Sequence, residues 1–218
     1  MNRVAGIIFA VVGLIIVALS VLKVTPGLTS TGVSLILLGA LVIGLSFIRR
    51  PDPEDAPRMS TAETLTGIFY APAEVFQNLR RHPRWLVAVL IMSVLSAIFY
   101  NLFLYRLTPE RVTNYTIDKT LEMPMIANNE EARKQVEAGR APALADNKNP
   151  VLRAGQSVNA FVGQVFLYAF LGAVFFLFAL AMGGKMNYWQ AFSAAVYAYF
   201  PVAVIRFVLN SIILFIKD

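Results

Sequence analysis

Cysteine is absent from this 218-residue chain, and histidine occurs once, as His82. Without thiols there is no disulfide framework, cysteine nucleophile or cysteine-ligated metal. One histidine cannot complete a tetrahedral nitrogen site for zinc either. Charge is equally scarce. Asp, Glu, Lys and Arg make up 15% of the residues, against the roughly 25% with which a soluble domain covers its surface. All 13 Asp and Glu lie outside the long apolar runs, which removes a carboxylate pair inside a membrane from consideration. No His-Glu-x-x-His, nucleophile elbow or phosphate-binding glycine loop occurs. The expectation is a chain that is not an enzyme and has no cofactor, metal or catalytic residue.

What is present is apolar: 57% of the residues are hydrophobic. That excludes disorder and predicts that lipid solvates much of the chain. The net charge of +6 does not predict a nucleic-acid partner. The basic residues lie beside apolar runs and among acidic ones, where they set orientation and meet lipid headgroups rather than form one phosphate-binding face.

Five runs read as membrane spans, so the predicted fold class is all-α, a polytopic helical bundle. Val4 to Leu22 has 19 residues, enough at about 1.5 Å per residue to cross a hydrocarbon core of about 30 Å. A signal peptide is the rival reading, with Ala18-Leu19-Ser20 as a cleavage site, although a secretory apolar region is usually about 7–15 residues long. Gly32 to Ile48 follows a short link with Pro26 and Gly27, making residues 1–48 a hairpin. Gly6 and Gly13 in one run, and Gly32 and Gly39 in the other, are spaced for close backbone approach; Ala40 and Gly44 form a further small pair, and glycine is common in membrane helices in any case. Residues 85–105, 158–182 and 189–216 complete the set. In the last, Pro201 predicts a kink or break near Phe200.

Two polar stretches separate the spans. Residues 49–64 read as a Pro-rich charged linker. From Leu65 to Leu79, apolar residues recur at three- and four-residue spacing, predicting one amphipathic helix in the membrane interface, with Pro72 suited to a first turn and Arg80 and Arg81 to the negative end of the dipole. The anchoring residues are predicted to be Phe69, Pro72, Phe76, Arg80, Arg81 and Trp85. Packing against the protein's own spans is the compatible alternative. Residues 106–157 carry eight basic and seven acidic groups and read as a small helical cap. Thr108-Pro109 and Asn129 mark helix starts, and Ala141 to Pro150 reads as loop. The basic residues at Arg49, Arg50, Arg80, Arg81 and Arg84 favour a cytoplasmic linker and amino terminus.

The segment from Gly67 to Trp85, Gly-Ile-Phe-Tyr-Ala-Pro-Ala-Glu-Val-Phe-Gln-Asn-Leu-Arg-Arg-His-Pro-Arg-Trp, resembles the segment that leads into the bundle of the Yip domain family, in its bacterial branch. Gly183-Gly184-Lys185 resembles the short turn between two spans of that family, and Tyr197 to Pro201 resembles its Tyr-x-x-x-Pro signature. The resemblance covers roughly residues 60 to 218 and implies a Yip-like membrane domain over 65–218. Members usually carry about five spans after the leading segment, where three remain here, so the resemblance implies a domain shortened at its carboxyl end or a hairpin added at its amino end. The family is named for proteins that interact with Ypt/Rab GTPases, but a GTPase partner for this chain does not follow.

Two functions are then expected. The first is a non-catalytic membrane protein that scaffolds other membrane proteins, further copies of itself or lipids. It would use the anchor, the turn at Gly183, Gly184 and Lys185, and the kink at Tyr197 and Pro201, and would sit in a bacterial cytoplasmic (inner) membrane. The alternative is a small-solute or ion pathway around Arg206 and Asn210, because an ionisable residue within a span is costly, with Gln164, Asn159, Asn101 and Ser211 placed to line it. The competing explanation for Arg206 is a side chain that snorkels to the interface.

Overall fold

The computed structural model describes residues 2–48 and 57–216, so most of the predicted linker, with Arg49 and Arg50, lies outside the described residues. The chain opens with a hairpin of α1 (Asn2–Val21) and α2 (Thr29–Leu45). Two short helices, α3 (Thr61–Gly67) and α4 (Pro72–Arg81), lead into α5 (Leu86–Leu107). A cap of α6 (Pro109–Leu121), α7 (Pro124–Ala127), α8 (Glu130–Ala138) and α9 (Arg140–Lys148) follows. The chain then re-enters the bundle as α10 (Pro150–Ala181) and returns as α11 (Tyr188–Ile216). Among the described residues there is no strand. Four helices, α1, α5, α10 and α11, are long and apolar enough to cross a membrane, and α2 is a shorter apolar helix of 17 residues.

Small residues set the helix spacing. A Cβ added to Gly13 would stand 2.5 Å from the carbonyl oxygen of Gly32, and one on Gly39 would stand 2.5 Å from that of Gly6. The two helices therefore run antiparallel with backbones nearly touching, the geometry that dispersion favours in lipid. Arg3 closes the open end of the hairpin, its guanidinium 4.5 Å over the Phe47 ring and bonded to Ser46. Ala40 and Gly44 are not part of this packing; both are exposed, and nothing lies within 4 Å of a Cβ added to Gly44. Gly155 carries α10 against α2, and Gly172 carries it against α11, where an added Cβ would be 2.8 Å from the Phe192 Cα. The core lies where α4, α5, α10 and α11 converge.

Three local expectations are corrected. Leu65 to Leu79 is not one helix. Proline disfavours the α conformation in the residue before it, and Ala71 (φ −133°, ψ 54°) breaks the segment so that Pro72 opens α4. Residues 141–148 and Pro150 are helical rather than loop, with only Asn149 between the two helices. Pro142 falls in the first turn of α9, where its missing N–H has no intrahelical partner to lose, and Asn149 caps α10 through the Val151 N–H. Finally, α11 is not broken at Pro201; it runs without interruption from Tyr188 to Ile216. One lost backbone bond is tolerated within a long apolar helix whose preceding turns are fixed by packing.

Candidate functional site

The residues singled out in the sequence fall into two regions, one on each half of α11. The first region is a junction built on its opening turns. Asn187 and Gln190 form a reciprocal cap: the Asn187 Oδ1 accepts from the Trp189 N–H at 2.9 Å, and the Gln190 Oε1 accepts from the Asn187 N–H at 2.7 Å. Gln190 then donates its own amide to the Arg80 carbonyl at 2.7 Å, satisfying an orphan acceptor at the end of α4. The Trp189 indole donates to the Ile48 carbonyl at 3.1 Å, and the Tyr188 hydroxyl to that of Ala169 at 3.0 Å. Around these bonds the aromatic rings interlock. Trp85 lies 4.9 Å from Phe192, and Phe69 meets Phe200 edge-on at 6.1 Å. Four separate segments are thereby tied to thirteen residues of one helix.

Arg84 is the charged member of the junction. Its Nη2 donates to the carbonyl of Met59, to the Thr64 hydroxyl at 2.6 Å and to the Asn78 Oδ1 at 3.3 Å. Asn78 in turn donates to the Pro57 carbonyl at 3.1 Å. Burial pulls the Arg84 guanidinium below the usual arginine value, opposed by the nearby phenol of Tyr197; an arginine stays charged nonetheless. One cation thus clamps the chain before α3 onto α4 and sits beside Tyr197, whose ring is buried. Ser60 and Glu63 form a reciprocal cap on α3, and hydrogen bonding of the Glu63 carboxyl to the Ser60 backbone N–H and then to the Ser60 hydroxyl holds it below the usual range.

The predicted anchor divides across this junction. Val75 and Leu79, on the inner face of α4, are fully buried in the protein's own core, so packing takes the apolar stripe. Pro72, Arg80 and Arg81 are exposed, Phe69 is about half exposed, and Phe76 and Trp85 are half-buried against the core. Gly183, Gly184 and Lys185 follow the end of α10. The Gly184 N–H reaches the Ala179 carbonyl at 2.8 Å, and the Gly183 N–H that of Leu180 at 2.9 Å. This is a Schellman cap, and Gly183 has the positive φ of 76° that it demands.

The second region is a cavity of about 390 Å³ between α5, α10 and α11, to which both Arg206 and Asn210 contribute. Gln164 lies on the same wall, while Asn159 bonds instead to Ser30 and Asn101 to Ala97 and Arg153. Ser96, Tyr100 and Gln164 also line a neighbouring cavity of about 420 Å³ between α5 and α10. His82 belongs to neither; its backbone N–H closes α4 on the Asn78 carbonyl. Among the described residues, no three His, Asp or Glu side chains gather where they would hold a metal ion.

Sequence reasoning missed Arg84, Gln190, Gly155 and Gly172. Arg84 was legible only as one of several basic residues at a membrane border. Gly155 stands in a polar stretch assigned to the cap and Gly172 in a long apolar run, and neither has a partner glycine at a fixed spacing to mark it.

Apolar helices packed through glycines, with every described carboxylate outside them, define an integral membrane protein of the helical class. The sequence profile of the Yip1 domain matches residues 66–216, from the end of α3 to the last turn of α11, and the chain belongs to that family. The match includes the cavity and the α4 and α11 sides of the junction, and leaves out the α1–α2 hairpin, Ile48 and the stretch holding Pro57, Met59 and Thr64. No curated protein and no solved structure matches the chain.

Proposed function

We propose that this membrane protein works without catalysis, by organising neighbouring membrane proteins around a rigid helical junction. The observation that carries this reading is a division among its helical glycines. At Gly6, Gly13, Gly32, Gly39, Gly155 and Gly172, another part of the chain lies within 3 Å of an added Cβ. At Gly44 and Gly163 nothing lies within 4 Å. The first group builds the bundle; the second lies on the outer faces of α2 and α10, beside the exposed Ala40 and Ala160. Small residues on a lipid-facing helix let a neighbouring helix approach closely. The exposed residues Pro72, Arg80 and Arg81 of α4 serve as an interfacial anchor at headgroup level. The home proposed for the chain is a bacterial inner membrane, with the amino terminus in the cytoplasm.

The test is crosslinking in native membranes, followed by purification in mild detergent and mass spectrometry. A stoichiometric membrane-protein partner is expected, lost when Gly44→Leu and Gly163→Leu are combined while the thermal stability of the bundle is unchanged. A chain recovered alone overturns the reading. The alternative, a small-solute or ion pathway around Arg206, is supported by the cavity that Arg206 and Asn210 line. The unbroken course of α11 removes the helix break on which it also relied. Loss of flux in Arg206→Gln with normal assembly would favour it.

A further inference from the structure

Chain direction gives the cavity beside Arg206 a polarity. Helices α5 and α11 both run towards the cap, and α10 runs away from it. Asn210, Arg206 and Tyr100 therefore stand at the cap end of the cavity, while Ala203, Leu95 and Met92 lie deeper. The cap end is bordered by polar structure. The Tyr100 hydroxyl donates to the Asn147 Oδ1 of α9 at 2.7 Å, and Asn147 donates to Thr113 of α6 at 2.9 Å. The deeper end is lined by Ala203, Leu95 and Met92, with the Tyr199 ring and the Gln164 amide beside them. This is a slot with a cationic mouth and a largely apolar floor.

Its polar groups are unevenly satisfied. Gln164 accepts from Ser93 at 2.7 Å, which leaves its amide N–H groups to point elsewhere. Among the described residues, no carboxylate pairs with Arg206, and Asn210 makes no side-chain hydrogen bond. All these unsatisfied groups include N–H donors, and the one full charge among them is positive. Arg206 is exposed at the mouth, and a cation and amides left unpartnered in an apolar helix bundle are costly, so the group that complements them is an acceptor and an anion. A volume of about 390 Å³ lies within the roughly 300–1,000 Å³ range of ligand sites. Neither a bare anion nor a bare hydrocarbon chain complements both ends.

We propose that this slot binds one anionic amphiphile: a phosphate or carboxylate head on Arg206 and Asn210 at the cap-side leaflet, with its hydrocarbon chain laid over Ala203, Leu95 and Met92. The site is independent of the organising role proposed above, because Gly44 and Gly163 are not part of it. Arg206 selects the head by charge, and the floor selects against small soluble anions by giving them nothing to bury.

The test uses the full chain purified in a neutral detergent, with binding read by native mass spectrometry. Three probes are titrated separately: oleoyl lysophosphatidate, oleoyl lysophosphatidylcholine and inorganic phosphate. One lysophosphatidate per chain is expected, unaffected by excess phosphate and weakened about tenfold or more by Arg206→Gln, the scale of losing a hydrogen bond to a charged group. Ala203→Trp leaves the charge in place and fills the floor, and it is expected to abolish lysophosphatidate binding as well. Equal lysophosphatidate binding by wild type and Arg206→Gln overturns the proposal. So does equally tight binding of lysophosphatidylcholine. Phosphate binding that survives Ala203→Trp overturns it in favour of a small-anion site.

Discussion

Every buried residue of α11 precedes Pro201: Tyr188, Trp189, Phe192, Val196, Tyr197 and Phe200 are among them, and none is found from Pro201 to Ile216. Composition runs the other way: the buried half holds four Ala, three Tyr and one Val, the open half four Ile, three Val and two Leu. Hydropathy therefore does not select the core. What decides burial is what each half meets. The first half faces Gly172, the inner stripe of α4 and a set of polar ties from Gln190, Trp189 and Tyr188. The second half faces one polar slot and otherwise turns Ile205, Leu209 and Ile212 outwards. In lipid, apolar surface alone gives helices little reason to associate, so close backbone approach and hydrogen bonds decide which half is core.

The largest expected effect follows from that difference. Phe192→Ala removes a fully buried ring that touches Trp85, Tyr188 and Trp189. It should cost about 3–5 kcal/mol in unfolding titrations in mixed micelles. Ile212→Ala, on the open half, should stay within about 0.5 kcal/mol of wild type. Equal losses would erase the contrast. Arg84→Ala comes next, leaving Thr64, Asn78 and the Met59 carbonyl without their cation. A loss of about 1.5–3 kcal/mol is expected, together with faster proteolysis between residues 57 and 71. Retained protection there would mean that the apolar stripe of α4 holds the segment without the clamp.

Gly39→Val sharpens the comparison from outside the junction. Its branched side chain would press on the Gly6 carbonyl and the backbone of Ala10, costing about 1–3 kcal/mol. The damage should stay in the hairpin, read as a change in α1 accessibility with Phe192 still protected. The smallest effect belongs to the cap. Hydrogen bonds from Arg140 hold the Glu137 carboxyl below the usual range. A depressed carboxylate contributes stability above its unfolded value, about 4.3 for Glu, and that contribution fades as pH falls through the lower folded value. These groups are exposed, so the change is small. Pepsin cleavage of residues 130–148 should rise modestly below about pH 4, with the junction unaffected.

The helical membrane class and four of the five expected spans were legible because long apolar runs have few other physical outcomes, while Gly32 to Ile48 falls largely in the shorter helix α2. The leading segment was legible as a pattern, though not as the helix pair it forms. Its periodicity matches one helix, and Ala71-Pro72 interrupts it locally. Asn129, Thr108 and Pro109 announced their helix starts through local chemistry, which sequence carries well. Arg84 and Gln190 did not, because their partners lie 6–25 and 110 residues away in the chain. Arg206 and Asn210 were visible as costly polar groups in an apolar run. That α5 and α10 would complete a slot around them was visible only once the helices were packed.

The most direct test of the division along α11 uses the absence of cysteine. Single cysteines are introduced along α11 in native membranes, and their reaction with a lipid-soluble pyrene maleimide is timed. Ala191, Ser193, Ala195 and Val196 should give slow labelling, and Val202, Ile205, Leu209 and Ile212 fast labelling, with the change at Pro201. Uniform rates along the helix, or protection of the second half in the purified chain, would contradict the account.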